Sequence, residues 1–269
     1  MFKGNYNFFD YKYNIVGYNG QDYNSFSQWL YLGVSIVLLF LLILFLRKAS
    51  KDKVLKIIRI VGVFLTIFYL VKTTWESFYD IRLFGNFNTG LLPFDTCSII
   101  MWACLLAGFS KGKIKKMAEC WLATGGLIGG LATMFTLNAF KYYPLLSFGA
   151  FYSMIWHFLM VFIGLLLLVT NYVDIKYHLV TYGFLFHLAI SLIIIPIDFI
   201  YNFDFMLYLH LGGIPFFEDI ASNNTLLHLE FLNPILMLLL YFLSFNIVYL
   251  VAIFIKKVGN TLIHRHNLC

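Results

Sequence analysis

From Trp29 to Leu46 the chain carries no charge. It then meets Arg47-Lys48, with Lys51, Lys53, Lys56 and Arg59 close behind. An uncharged run of that length approaches the roughly 20 apolar residues that cross a bilayer as one helix. Inside a bilayer every backbone polar group must be satisfied internally, as a helix does within its own segment. Six further apolar stretches follow, at about 54–78, 91–109, 117–135, 148–169, 179–200 and 231–255. The reading is all-α: a polytopic membrane helix bundle of seven transmembrane helices filling residues 28–256.

The basic residues give an orientation. Lys and Arg gather after the first span, at Lys111, Lys113, Lys115 and Lys116, and at Lys256-Lys257 with His264-Arg265-His266, whereas 201–230 has neither. Cytoplasmic loops carry that excess. The N-terminus and residues 1–27 are therefore expected outside, and the tail 257–269 in the cytoplasm, in a multi-pass protein of the plasma membrane. Residues 1–27 fit either an aromatic segment lying on the membrane surface or a partly ordered polar tail. They lack the basic and apolar regions of a cleaved signal peptide.

Charged residues make up only 12% of the chain and mean hydropathy is +0.82, against roughly a quarter charged in soluble proteins. The net charge of +6 lies in short loops, so it marks topology and not nucleic-acid binding. Cys97, Cys104, Cys120 and Cys269 have neither zinc-knuckle nor disulfide-framework spacing. No metal or nucleotide motif appears, and no cofactor is expected.

Chemistry-bearing residues concentrate toward the outer ends of the spans: Lys72, Glu76, Asp95, Thr96, Cys97, Asn138, His157 and Asp198. Counting 1.5 Å per residue puts Cys97 roughly 9 Å and His157 roughly 14 Å below the outer face. His187, counted from the other face, is deeper and a poorer partner for Cys97. A thiol and an imidazole are the minimum parts of a nucleophile–base pair, although a buried Cys is commonly inert and a buried His commonly ties helices together. Lys72 and Glu76, at i and i+4, fit either a pair facing the bundle interior or one snorkelling to headgroups. Glu76 could orient His157 or pair with Lys72. Thr96, Ser98 and Asn138 are candidate oxyanion donors. Cys104 reads as packing, and Gly125-Gly126 with Gly129-Gly130 read as a close helix contact.

The opening Leu91-Leu92-Pro93-Phe94-Asp95-Thr96-Cys97-Ser98, the aromatic-rich span with His157, and Asn202 followed by Tyr208-Leu209 resemble the YwaF-like integral membrane proteins. That family is distantly similar to a eukaryotic transmembrane acyltransferase that remodels ether phospholipids and to the AIG/ADTRP membrane hydrolases. The resemblance implies Cys97 as nucleophile and His157 as base, acting on membrane phospholipids or lysolipids. The family pattern often has a His two residues before the Cys, where this chain has Asp95. Two other readings compete with this acyltransferase or ester hydrolase. One is a transporter or lipid-handling channel, against which stands the lack of an inverted repeat or paired broken helices. The other is a non-catalytic membrane subunit.

Overall fold

The computed structural model describes residues 4–266 apart from 21, 137 and 212–214. Cys269, and the side chains of His264, Arg265 and His266, lie outside the described residues. Helices and turns make up the fold, with no strand among the described residues. In order they are α1 (Phe26–Leu46), α2 (Lys51–Phe84), α3 (Ile99–Phe109), α4 (Gly112–Trp121), α5 (Leu127–Thr136), α6 (Phe148–Val169), α7 (His178–Tyr201), α8 (Pro215–Leu226) and α9 (Leu232–His266). A π-helical stretch, Leu122–Gly126, joins α4 to α5 without a break.

Local chemistry sets the helix ends. Ser25, Ser50 and Ser147 each accept an amide from the first turn of α1, α2 and α6, relieving donors that have no helical partner. Gly85, at φ +74°, ends α2 in the left-handed conformation that costs glycine least. Asn202, at φ +54°, ends α7 the same way.

Among the described residues, six helices are long and apolar enough to cross a membrane: α1, α2, the continuous α4–α5 unit, α6, α7 and α9. This is the architecture of a multi-pass membrane protein. Their outward faces stay apolar, as Phe40 and Phe45 on α1 and Leu250 and Phe254 on α9 illustrate. The stretch predicted as the third span is different. Residues 89–98 form turns, and only Ile99–Phe109 is helical. The reason is local: Pro93 has no N–H to donate and disfavours helix in the residue before it, and Leu92 is accordingly extended.

The α3 segment nevertheless runs back antiparallel along α2. The Tyr69 hydroxyl donates to the Leu91 carbonyl, Cys104 packs on Gly62, and Arg59 Nε donates to the Gly108 carbonyl at 2.7 Å. Cys104 is fully buried there, as packing requires. The glycine repeat also does what its spacing predicts. A Cβ on Gly130 would lie 2.7 Å from Met160 Cβ, so the backbones of α5 and α6 meet only because the side chain is missing.

The segment expected as an outer loop, 201–230, and the one expected as a membrane-surface segment or polar tail, 1–27, both carry order in their described residues. Residues 201–230 include α8, opened by Pro215 with Glu218 in its first turn, both favourable at a helix start. Residues 4–25 fold onto the bundle as a cap. Tyr11 is buried, its hydroxyl donating to Asp80 Oδ1 at 2.7 Å. Tyr18 donates to the Phe140 and Tyr143 carbonyls. Trp75 Nε1 donates to the Phe9 carbonyl, and Asp22 Oδ2 accepts the Leu145 amide. At its far end α9 continues helical to His266, inside the segment expected as a tail.

Candidate functional site

The turn bearing Cys97 is held from several sides. The Asn88 side chain accepts the Gly90 amide, starting a 3₁₀ turn at Thr89–Leu91. Trp102 Nε1 donates to the Pro93 carbonyl at 3.2 Å. The Asp95 carbonyl then accepts from the Ser98 and Ile99 amides and launches α3. From α6, Trp156 Nε1 donates to the Cys97 carbonyl at 2.9 Å. Hydrogen bonds to the backbone of the turn, from side chains and amides alike, thus fix where the thiol sits.

Cys97 and His157 line one cavity of about 120 Å³, set between α2, the 89–98 turn and α6. Lys72, Asp95 and Ser98 share its wall with Tyr69, Tyr152 and Ser153. No hydrogen bond joins the two reactive groups. Cys97 Sγ lies 3.8 Å from Thr133 Oγ1, and Thr133 donates its hydroxyl proton to the Gly129 carbonyl at 3.0 Å. The thiol is therefore the donor toward Thr133.

His157 is buried, and its Nδ1 lies 2.7 Å from the Ser153 carbonyl one turn earlier. A carbonyl only accepts, so Nδ1 carries the proton and Nε2 presents its lone pair. Nε2 is buried without a hydrogen-bond partner. An unoccupied lone pair on a ring of fixed tautomer is the condition a general base needs before substrate arrives.

The other sequence candidates divide. Lys72 forms an ion pair with Glu76, and Lys72 Nζ also stands 5.5 Å from the Tyr152 ring centroid. Glu76 is buried, with Tyr143 donating to its Oε1 at 3.5 Å. Glu76 therefore does not orient His157; the Ser153 carbonyl does. Thr96 turns away from the cavity to Tyr241 of α9, hydroxyl to hydroxyl at 2.6 Å. Asn138 is exposed in the 138–141 turn and does not line the cavity. Asn202 lines a neighbouring cavity that shares Asp95 and Gly90 with this one. Of the three expected oxyanion donors, Ser98 alone lies on the cavity wall.

His187 belongs to a separate, fully buried cluster. Trp121 Nε1 donates to its Nδ1 and Tyr208 meets its Nε2, both at 3.4 Å, while Ser191 bonds the same tyrosine and the His187 carbonyl. Asp198, fully buried, accepts the Phe205 amide at 3.2 Å and so fastens the turn after α7. Both act as ties between helices and turns.

Thr133, Ser153 and Trp156 were not singled out from the sequence. Ser153 stands four residues before His157, a spacing that puts both on one helix face, so it was legible in principle. Thr133 and Trp156 matter through partners more than thirty residues away, and no local pattern announces them. Compared with known proteins, the chain matches no family model, no curated protein and no solved structure.

Proposed function

We propose that this membrane protein is a Cys/His acyltransferase or ester hydrolase acting on acyl lipids, with Cys97 as nucleophile and His157 as base. The observation that carries the reading is the shared cavity, in which His157 Nε2 is buried and unpartnered beside the thiol's turn. The cavity accepts the reacting end of a lipid while its chains stay in the bilayer.

The thiol first leaves Thr133 and turns to His157, which takes its proton at Nε2. The thiolate attacks the ester carbonyl carbon, and the Ser98 hydroxyl is the side-chain donor available to the resulting oxyanion. The carbon–oxygen bond breaks, His157 returns the proton to the leaving alcohol, and a thioester remains on Cys97. A lysolipid hydroxyl or water then attacks the thioester, giving its proton to His157, which passes it back to the departing thiolate. No cofactor enters these steps.

The same reading includes seven passages through the plasma membrane, with α3 and its preceding turn as the third and the Cys97 cavity toward the outside. The antiparallel run along α2 and the basic residues at the other end of the bundle support it.

The test is a trapping experiment in phosphatidylcholine nanodiscs loaded with acyl-labelled phospholipid. Label that hydroxylamine releases from Cys97, absent in Cys97→Ala and reduced at least 100-fold in His157→Gln, is the expected outcome. Equal labelling of wild type and Cys97→Ala would end the proposal.

A further inference from the structure

A second cavity, of about 200 Å³, lies at the other end of the bundle and takes no part in the chemistry above. Lys51 on its wall is about 30 Å along α2 from Lys72. Lys115 and Lys116 of α4 reach the same space. Lys115 is committed to Glu119 at 3.7 Å, and Glu119 also accepts from Tyr172 at 2.9 Å. Lys51 and Lys116 have no ion-pair partner among the described residues; Lys116 Nζ instead stands 4.9 Å from the Tyr182 ring centroid. Asp174 is the second carboxylate on the wall.

The backbone adds to this field. Lys51, Gly112 and His178 are the first residues of α2, α4 and α7, and all three line the cavity. Each helix start carries about half a positive charge from its first-turn amides, of which Ser50 takes one in α2 and the Lys176 carbonyl one in α7. Two exposed lysines without an ion pair, Lys51 with its charge also acting on Glu119 and Lys116 over the Tyr182 ring, stand with three converging helix starts around a concave site for an anion. Lysine serves phosphate as a compact point charge, and basic pockets between membrane helices take phosphate head groups.

We propose that the Lys51–Lys116 cavity binds a phosphate group, from either an anionic lipid head group or a soluble phosphate. The site stands apart from the acyl-transfer reading and survives its failure.

The test uses the full chain in two arms. In the first, native mass spectrometry follows retention of phosphatidylglycerol against phosphatidylcholine. In the second, inorganic phosphate is added to protein in phosphatidylcholine nanodiscs and the unfolding temperature is read. Phosphatidylglycerol retained at least fivefold over phosphatidylcholine, and lost in Lys51→Gln/Lys116→Gln but kept in Lys51→Arg/Lys116→Arg, assigns the site to a lipid head group. Stabilisation by inorganic phosphate, lost in the same Gln variant, assigns it to a soluble phosphate. Neither effect in wild type overturns the proposal. So does an equal loss in Lys111→Gln/Lys113→Gln, two exposed lysines off the cavity wall, because that would mean diffuse surface charge.

Discussion

The indole N–H of Trp156 donates to the carbonyl of Cys97. The helix that carries the imidazole thereby holds the turn that carries the thiol. Trp156 is buried, stacked on Tyr152 and close to Tyr69. Trp156→Phe keeps most of the ring packing and deletes the donor. A loss of about 1 kcal/mol of stability is expected. Labelling of Cys97 by a lipid-soluble maleimide should rise severalfold as the turn loosens. Unchanged labelling would show that the turn is held without this bond.

Ser153 and His157 separate two uses of one residue. Nδ1 is held by the Ser153 carbonyl at 2.7 Å, with the hydroxyl farther off at 3.4 Å. Ser153→Ala leaves the carbonyl bond, so thioester formation should fall less than threefold. A loss near that of His157→Gln would mean that the hydroxyl, and not the carbonyl, sets the tautomer.

Lys72 and Glu76 share a half-buried setting in which each depends on the other, with side chains 22% and 9% exposed. Lys72→Met strands the carboxylate with only Tyr143 and should cost ~2 kcal/mol. Lys72→Met/Glu76→Gln should recover more than half of that. Thermal unfolding of the two single variants and the double variant measures the coupling, and simple additivity would contradict it.

Gly130 admits Met160 and Val161 to the backbone of α5. Gly130→Leu forces the two helices apart and should cost 1–3 kcal/mol or more. Gly33 has nothing within reach of an added Cβ, so Gly33→Ala should leave the unfolding temperature unchanged or slightly raised.

Much of the fold was legible because apolar length and small-residue spacing act locally. Six of the seven expected spans, the glycine contact and the buried Cys104 follow from spacing alone. The 89–98 turn was less legible, because its composition is as apolar as a helix and only Pro93 breaks the pattern. At the site, the sequence offered Cys97 and His157, and the structure puts both on the wall of one cavity. It could not indicate that the thiol rests on Thr133 or that Thr96 leaves for Tyr241, since such bonds depend on which helices become neighbours. The cap was ambiguous for the same reason. Its aromatic residues look like membrane-surface residues until Asp80 and the 138–147 turn supply partners.

The cap also orders events in time. Tyr11 waits for Asp80, 69 residues later, while Tyr18 and Asp22 wait for Tyr143 and Leu145, 125 and 123 residues later. At about 5–20 residues per second of synthesis, residues 4–25 remain without those later partners for roughly 6–25 s. The earliest described part of the chain therefore cannot settle until about half of the chain has been made. Until then its rings are open to chaperones and proteases, and closure of the cap reports that α6 has begun to arrive.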